Sequence, residues 1–290
     1  LSPCSLRLDS SLRLQKIMDF NTSGDFSKLV SPFQVPQNAS VSASHGSAFD
    51  THGTTVIAVK YRDGVLNVAD RRATAGMSIM YDRSEKILPL DDHTLVSISG
   101  SFAKAIEIAR FLRHSFKYYS RSQLQPMSLE GKLAEMTKAL VQNLPMALQG
   151  IGTFVPVLSA YDHESNDGKI FFFDPMGARF ESSDFGAAGS GSAAIRGSFD
   201  YITRTKGPFA EMDLSSALRE CLILLDIAAD LDAATGGYAK ILPSAKAVTR
   251  EGILNLDEGQ LQDVLEQMQN GAAPQKIEVS AAKISGDSQI

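Results

Sequence analysis

The chain has 290 residues, 43% hydrophobic and 21% charged, with a formal net charge of −5. That is the make-up of an ordinary soluble globular protein with length enough for a sizeable core. It argues against nucleic acid or an anionic membrane as main partner, and no apolar run reaches the ~18–20 residues that span a bilayer.

Residues 1–53 are rich in Ser, Asp, Gln and small residues. They lack the apolar core and small-residue cleavage site of a secretory signal, so they read as a removable leader. From Thr54 the pattern changes: Thr54 to Tyr61 predicts a strand, Arg62-Asp63-Gly64 a turn, and Val65 to Asp70 a second strand. Lys86-Ile87-Leu88 and Thr94 to Ser99 predict another strand pair around a Pro89-Leu90-Asp91-Asp92 turn. Phe102, Ile106, Ala109, Leu112 and Phe116 recur at helical intervals, and a second helix follows Ser128 as N-cap. Strands are expected at Phe154–Tyr161, Lys169–Phe173 and near Arg179-Phe180-Glu181. The small-residue run Gly186 to Ser192 leads into a helix through Ile202, and Leu214 to Leu225 mark a fourth. Strands near Ala245–Thr249 and Gly252–Leu256, a polar helix to about Asn270 and a tail over 271–290 complete the chain. Clustered strands and paired helices predict an α+β fold of stacked antiparallel sheets with helices outside. Cys4 and Cys221 make no disulfide framework and fit a reducing compartment. The five histidines show no metal-ligand spacing, so neither a metal nor a cofactor is expected.

The junction Gly53-Thr54 carries the chemistry. A threonine hydroxyl is a weak nucleophile that needs a neighbouring base, and a free α-amine on the same residue can be that base. Its reference pKa of ~7.7–8.0 suits neutral pH, and β-branching restricts where the hydroxyl points. Cutting after Gly53 would create that pair of groups. Asp70 stands 16 positions after Thr54, Lys86 a further 16, and Gly100 another 14.

With Gly53-Thr54-Thr55-Val56, Ala69-Asp70-Arg71-Arg72-Ala73-Thr74, Lys86, Ser99-Gly100, Gly189-Ser190-Gly191-Ser192 and Asp232-Ala233-Ala234-Thr235-Gly236-Gly237, the chain resembles proteasome β subunits of the actinobacterial type. The resemblance covers most of residues 54–256. It implies an N-terminal nucleophile hydrolase, a four-layer αββα sandwich over 54–270, with residues 1–53 a self-removed propeptide. Thr54 would be the nucleophile, Lys86 the cation favouring loss of its proton, and Asp70 the partner orienting that lysine. The Gly100 N–H would face the oxyanion, and Ser190, Asp232 and Thr235 would surround the α-amine; many relatives have Ser where this chain has Thr235. Ala73, Thr74, Ser84, Leu88, Ile98, Phe102 and Ile106 would line a primary pocket, uncharged and largely apolar, favouring cleavage after hydrophobic residues. Implied partners are heptameric β rings stacked in pairs, α subunits, an ATP-dependent unfoldase and unfolded protein substrates, in the cytoplasm.

Three other readings compete. A shorter HslV-type peptidase typically reads Gly-Asp-Gly-Gln where this chain has Ala69-Asp70-Arg71-Arg72. An inactive structural ring subunit would commonly lose the Thr or the Lys. A dinucleotide-binding loop at Gly189-x-Gly191-x-x-Ala194, with Asp213 as its acidic residue, would need a parallel strand context.

Overall fold

The computed structural model describes residues 53–75, 78–275 and 277. Two five-stranded antiparallel sheets form its frame. The first has the order β10-β1-β2-β11-β12, from β1 (Thr55–Tyr61), β2 (Gly64–Ala69), β10 (Phe185–Gly189), β11 (Ser244–Thr249) and β12 (Gly252–Leu256). The second has the order β5-β6-β7-β8-β9, from β5 (Ile87–Asp91), β6 (Thr94–Ser97), β7 (Val157–Asp162), β8 (Asp167–Phe173) and β9 (Arg179–Ser182). A small ribbon pairs β3 (Ala73–Ala75) with β4 (Ser78–Tyr81).

All seven residues of β1 are buried, which is why its apolar residues Val56 to Val59 run consecutively rather than alternating. Its two faces serve different cores. Ile57 and Val59 join Leu66 and Val68 against α3 (Ser192–Lys206), α4 (Leu214–Leu231) and α5 (Glu258–Gln269). Val56 and Ala58 belong to another cluster with Val65, Ile87, Leu95, Val157 and Ile170, drawn from both sheets. A third cluster joins Val96, Ile98, Leu158 and Phe171 to the buried stripes of α1 (Phe102–Gln123) and α2 (Leu129–Ala147). Between the sheets, Asn67 Oδ1 accepts from Ser97 Oγ at 3.2 Å and Ser159 Oγ at 2.7 Å. These bonds tie β2 to β6 and β7, and a one-residue slip would break them.

The helix starts follow local chemistry. Ser128 Oγ accepts from the Gly131 N–H at 3.2 Å, and Asp213 caps α4 through the Ser216 N–H at 2.8 Å. Asp257 and Gln260 form a reciprocal capping box on α5. None of the helices among the described residues is long and apolar enough to cross a membrane.

The structure departs from the sequence reading in four places. β5 runs through Pro89 and Leu90, so the turn falls at Asp92-His93. Proline is tolerated there because β5 is an edge strand with a register shift between Pro89 and Asp91. The run Gly186-Ala187-Ala188-Gly189 is strand β10, its small residues fitting beneath the neighbouring sheet, where Phe172 crosses Gly186. The β3–β4 ribbon was not anticipated. Part of the expected tail is bonded to α4: Arg219 donates to Ala272 O at 2.8 Å and Ser215 to Gln275 O at 2.6 Å. The leader up to residue 52 lies outside the described residues.

The division of β1 between two cores has a measurable consequence. Ile57→Ala removes a fully buried side chain from the helix-covered face, and the expected cost is about 2–5 kcal/mol. Chemical unfolding of the subunit should show a lower midpoint at unchanged slope.

Candidate active site

Strand pairing assembles the site. Thr54 immediately precedes β1, and the register Val56↔Ala69 carries Asp70, the residue after β2, alongside Thr55. On the other side of β1, Thr55 pairs with Gly189, which leaves Ser190 opposite Thr54; the Ser190 N–H donates to Thr54 O at 2.8 Å. Lys86 comes from the second sheet, one residue before β5, where its carbonyl accepts from the Ile98 N–H at 2.8 Å.

Asp70 is the hub. Oδ1 accepts from Lys86 Nζ at 2.7 Å and from the Thr55 N–H at 2.8 Å. Oδ2 accepts from the N–H groups of Arg72 and Gly236, each at 3.0 Å. The carboxylate therefore spans β1, the β2 end, β5 and the 232–237 loop. The side chains of Lys86 and Asp70 are 1% and 0% exposed. Burial pushes the Lys86 ammonium below the ordinary lysine range, and the charge and hydrogen bond of Asp70 oppose that shift without cancelling it.

Thr54 Oγ1 donates to Gly53 O at 2.6 Å, and Lys86 Nζ reaches the same oxygen at 3.4 Å. Hydroxyl and cation thus meet on the carbonyl of the Gly53–Thr54 bond, with no element between them. The Gly53 N–H donates to Thr74 Oγ1 at 3.0 Å, so Thr74 touches the leader's last residue instead of merely lining a pocket.

A second polar group lies on the nitrogen side of Thr54. Asp232 Oδ2 accepts from Ser190 Oγ at 2.5 Å and Thr235 Oγ1 at 2.6 Å, while its Oδ1 accepts from the Ala234 N–H at 3.1 Å. Burial works to raise the Asp232 pKa, but these bonds and the charge of Lys86 outweigh it and hold the carboxyl below its usual range. Thr54 N lies 3.4 Å from Ser190 Oγ.

Gly100 adopts φ +97°, and a Cβ there would overlap Thr153 O. It forms an isolated bridge with Phe154. That bridge is held by the neighbours, Ser101 N–H to Thr153 O at 2.7 Å and Val155 N–H to Ser99 O at 2.9 Å, so the Gly100 N–H takes no part in it. Nor does that N–H bond Gly53 O in this uncut chain. A cavity of about 550 Å³ opens beside Gly100 and Ser190, walled by Val155, Phe172, Phe180 and Ala187. A larger one, about 720 Å³, lies among Arg113, Lys117, Lys132 and His163 and shares no residue with the site.

The expected pocket residues divide. Leu88 and Ile98 are buried in the core beneath α1 and α2, Phe102 and Ile106 pack part-buried against that core, and Ser84 is buried with its N–H on Arg71 O. Ala73 and Thr74 stand on β3. None of them lines the 550 Å³ cavity.

Two contributors escaped the sequence reading. Arg72 donates through Nη1 to the carbonyls of Ala233 and Thr235, each at 3.1 Å, and so holds the loop that carries Asp232. Thr55 Oγ1 lies 2.6 Å from Thr235 Oγ1. The only available signal for Thr55 was a hydroxyl at a position otherwise suited to Val or Ile. The loop Gly189-x-Gly191 follows a strand antiparallel to β1, and Asp213 is a helix cap, so the parallel context of a dinucleotide site is absent.

Residues 50–242 match the proteasome subunit family. A proteasome subunit beta of Acidothermus cellulolyticus is 36% identical over 251 residues, covering 84% of each chain. A proteasome subunit beta 2 of Thermomonospora curvata is 34% identical over 238 residues, 81% of this chain and 83% of its own. One of Streptomyces griseus is 31% identical over 243 residues, 83% and 84%. With a family match over residues 50–242 and this degree of identity over most of its length, the chain belongs to the proteasome subunit family.

Proposed function

We propose that this chain is a threonine endopeptidase, the catalytic β subunit of a proteasome core particle, made as a precursor and activated by cutting its own Gly53–Thr54 bond. The observation that carries the reading is the meeting of Thr54 Oγ1 and the Asp70-held Lys86 ammonium on Gly53 O.

In self-cleavage the Thr54 hydroxyl adds to the Gly53 carbonyl carbon, and negative charge grows on an oxygen that already has Lys86 beside it. Expulsion of the Thr54 nitrogen leaves an ester, which water hydrolyses, releasing residues 1–53 and a free α-amine. That amine then serves as base for attack on a substrate carbonyl, giving an acyl-enzyme that a second water resolves. The unengaged Gly100 N–H suits the substrate oxyanion, a role typically worth ~3–4 kcal/mol. Ser190, Asp232 and Thr235 orient the amine. The three apolar clusters, one between the sheets and one beneath each helix set, support a four-layer αββα sandwich of the N-terminal nucleophile hydrolase type over 54–270. By membership of the family, the expected setting is cytoplasmic: paired heptameric β rings, α-subunit rings and an ATP-driven unfoldase that feeds unfolded chains. No metal or cofactor enters this scheme.

Three outcomes follow. Thr54→Ala should leave an uncut, inactive subunit, and intact-mass measurement showing loss of the leader in that variant contradicts the mechanism. Asp70→Asn leaves a buried lysine without its counter-charge, an expected loss of about 3–5 kcal/mol in stability. Thermal unfolding and peptide turnover should both fall, and wild-type behaviour in either refutes the hub role. A fluorogenic peptide panel should turn over fastest after hydrophobic residues, as the uncharged character of the expected pocket residues implies. Fastest cleavage after acidic or basic residues overturns that preference.

A further inference from the structure

We infer that Thr55 is a positioning residue of this site, its hydroxyl the donor in a hydrogen-bond chain that ends on Asp232, the acid whose hold on Ser190 turns a Ser190 lone pair toward the Thr54 nitrogen. The inference rests on Thr54 being the nucleophile but assigns a role to a residue outside that scheme.

Proton counting sets the direction. Ser190 Oγ and Thr235 Oγ1 both contact Asp232 Oδ2, at 2.5 and 2.6 Å. An ionised carboxylate only accepts, so both hydroxyls donate their single proton to it. Thr235 has then no proton left for Thr55 Oγ1, 2.6 Å away, and can only accept there. Thr55 must be the donor. Its own oxygen is supplied in turn by the Gly191 N–H at 3.2 Å. The chain therefore runs one way, from Gly191 N–H through Thr55 and Thr235 to Asp232. Ser190, likewise committed to Asp232, meets Thr54 N at 3.4 Å as an acceptor. Its 3.4 Å approach to Thr54 O cannot be a second donation.

The consequence for chemistry is orientation. Once the leader is gone, the α-amine gives one N–H to Ser190, which limits where its lone pair can point. Thr55 is 0% and Thr235 1% exposed, so water does not replace a lost donor. Removing the Thr55 proton leaves Thr235 accepting nothing and Gly191 N–H without its acceptor, so Asp232 and Ser190 are less firmly held. Threonine at this place is not required by the strand, since valine would fill the same volume on β1.

The test uses the assembled, trimmed particle and a fluorogenic peptide. Thr55→Val, matched in shape, should lower kcat about tenfold with KM little changed, the loss of one buried hydrogen bond felt at the reacting group. Thr55→Ser should restore turnover. The double variant Thr55→Val/Thr235→Val should be no slower than Thr235→Val alone, because both act through one chain. If Thr55→Val fails to assemble, Thr55→Cys, whose S–H is a weak donor, should show the same loss in kcat. Wild-type kcat in the Val or Cys variant, equal loss in the Ser variant, or additive losses in the double variant would each overturn the inference. Failure of the nucleophile assignment reads differently: Thr54→Ala would then still turn over substrate.

Discussion

A buried carboxylate with four donors organises this site. Asp70 faces Lys86, the Thr55 N–H, the Arg72 N–H and the Gly236 N–H, and each comes from a different stretch of chain. An ion pair out of water gains little over an apolar pair of equal volume, because desolvation offsets most of the attraction. Its worth here is in placement. All the bonding directions of Asp70 are occupied, so Lys86 has one position, and that position is against the oxygen of the bond preceding Thr54.

The frame around that pair explains why neighbours in space come from distant sequence. Antiparallel pairing of β1 with both β2 and β10 sets Asp70 on one flank of the Thr54–Thr55 peptide and Ser190 on the other. Lys86 crosses from the second sheet through the cluster that joins the two, with Ile87 buried in it. Arg72 then ties the 232–237 loop to the β2 end, so one residue braces both the acid that holds the lysine and the loop that carries Asp232. The two halves of the site are mechanically one.

Much of this was readable in the sequence where a residue type has a single physical use. The apolar run of β1, the cap at Ser128 and the helical stripes of α1, α2 and α4 all follow local rules. The resemblance to proteasome β subunits implied Thr54, Asp70 and Lys86, and the structure brings those three together. What escaped depended on partners far along the chain. β10 looked like a loop because its glycines and alanines carry no strand propensity; they are small because Phe172 and β1 occupy the space beside them. Pro89 looked like a turn because nothing local says that β5 is an edge strand. Thr55 looked like a strand residue, which it is, and its second role appears only when Thr235, 180 positions away, is seen against it.

On the proposed self-cleavage, geometry also bears on where the chain would be cut. Gly53 is buried, and a Cβ added to it would overlap Thr74 Oγ1 and lie 2.7–2.8 Å from Ala234 atoms, closer than real side chains approach. A larger residue would have to move its own carbonyl to fit, and that carbonyl is the group that Thr54 and Lys86 share. Glycine is therefore needed for the register between nucleophile and bond, not for flexibility of the leader. On the proposed mechanism, the same geometry would leave an uncut chain inactive toward other peptides. The nitrogen of Thr54 is an amide with no basic lone pair, Gly53 O holds both Thr54 Oγ1 and Lys86 Nζ, and only 4% of Thr54 meets solvent. On the proposed self-cleavage, scission would turn that amide into an amine and remove the Gly53 carbonyl that holds both the nucleophile and the cation.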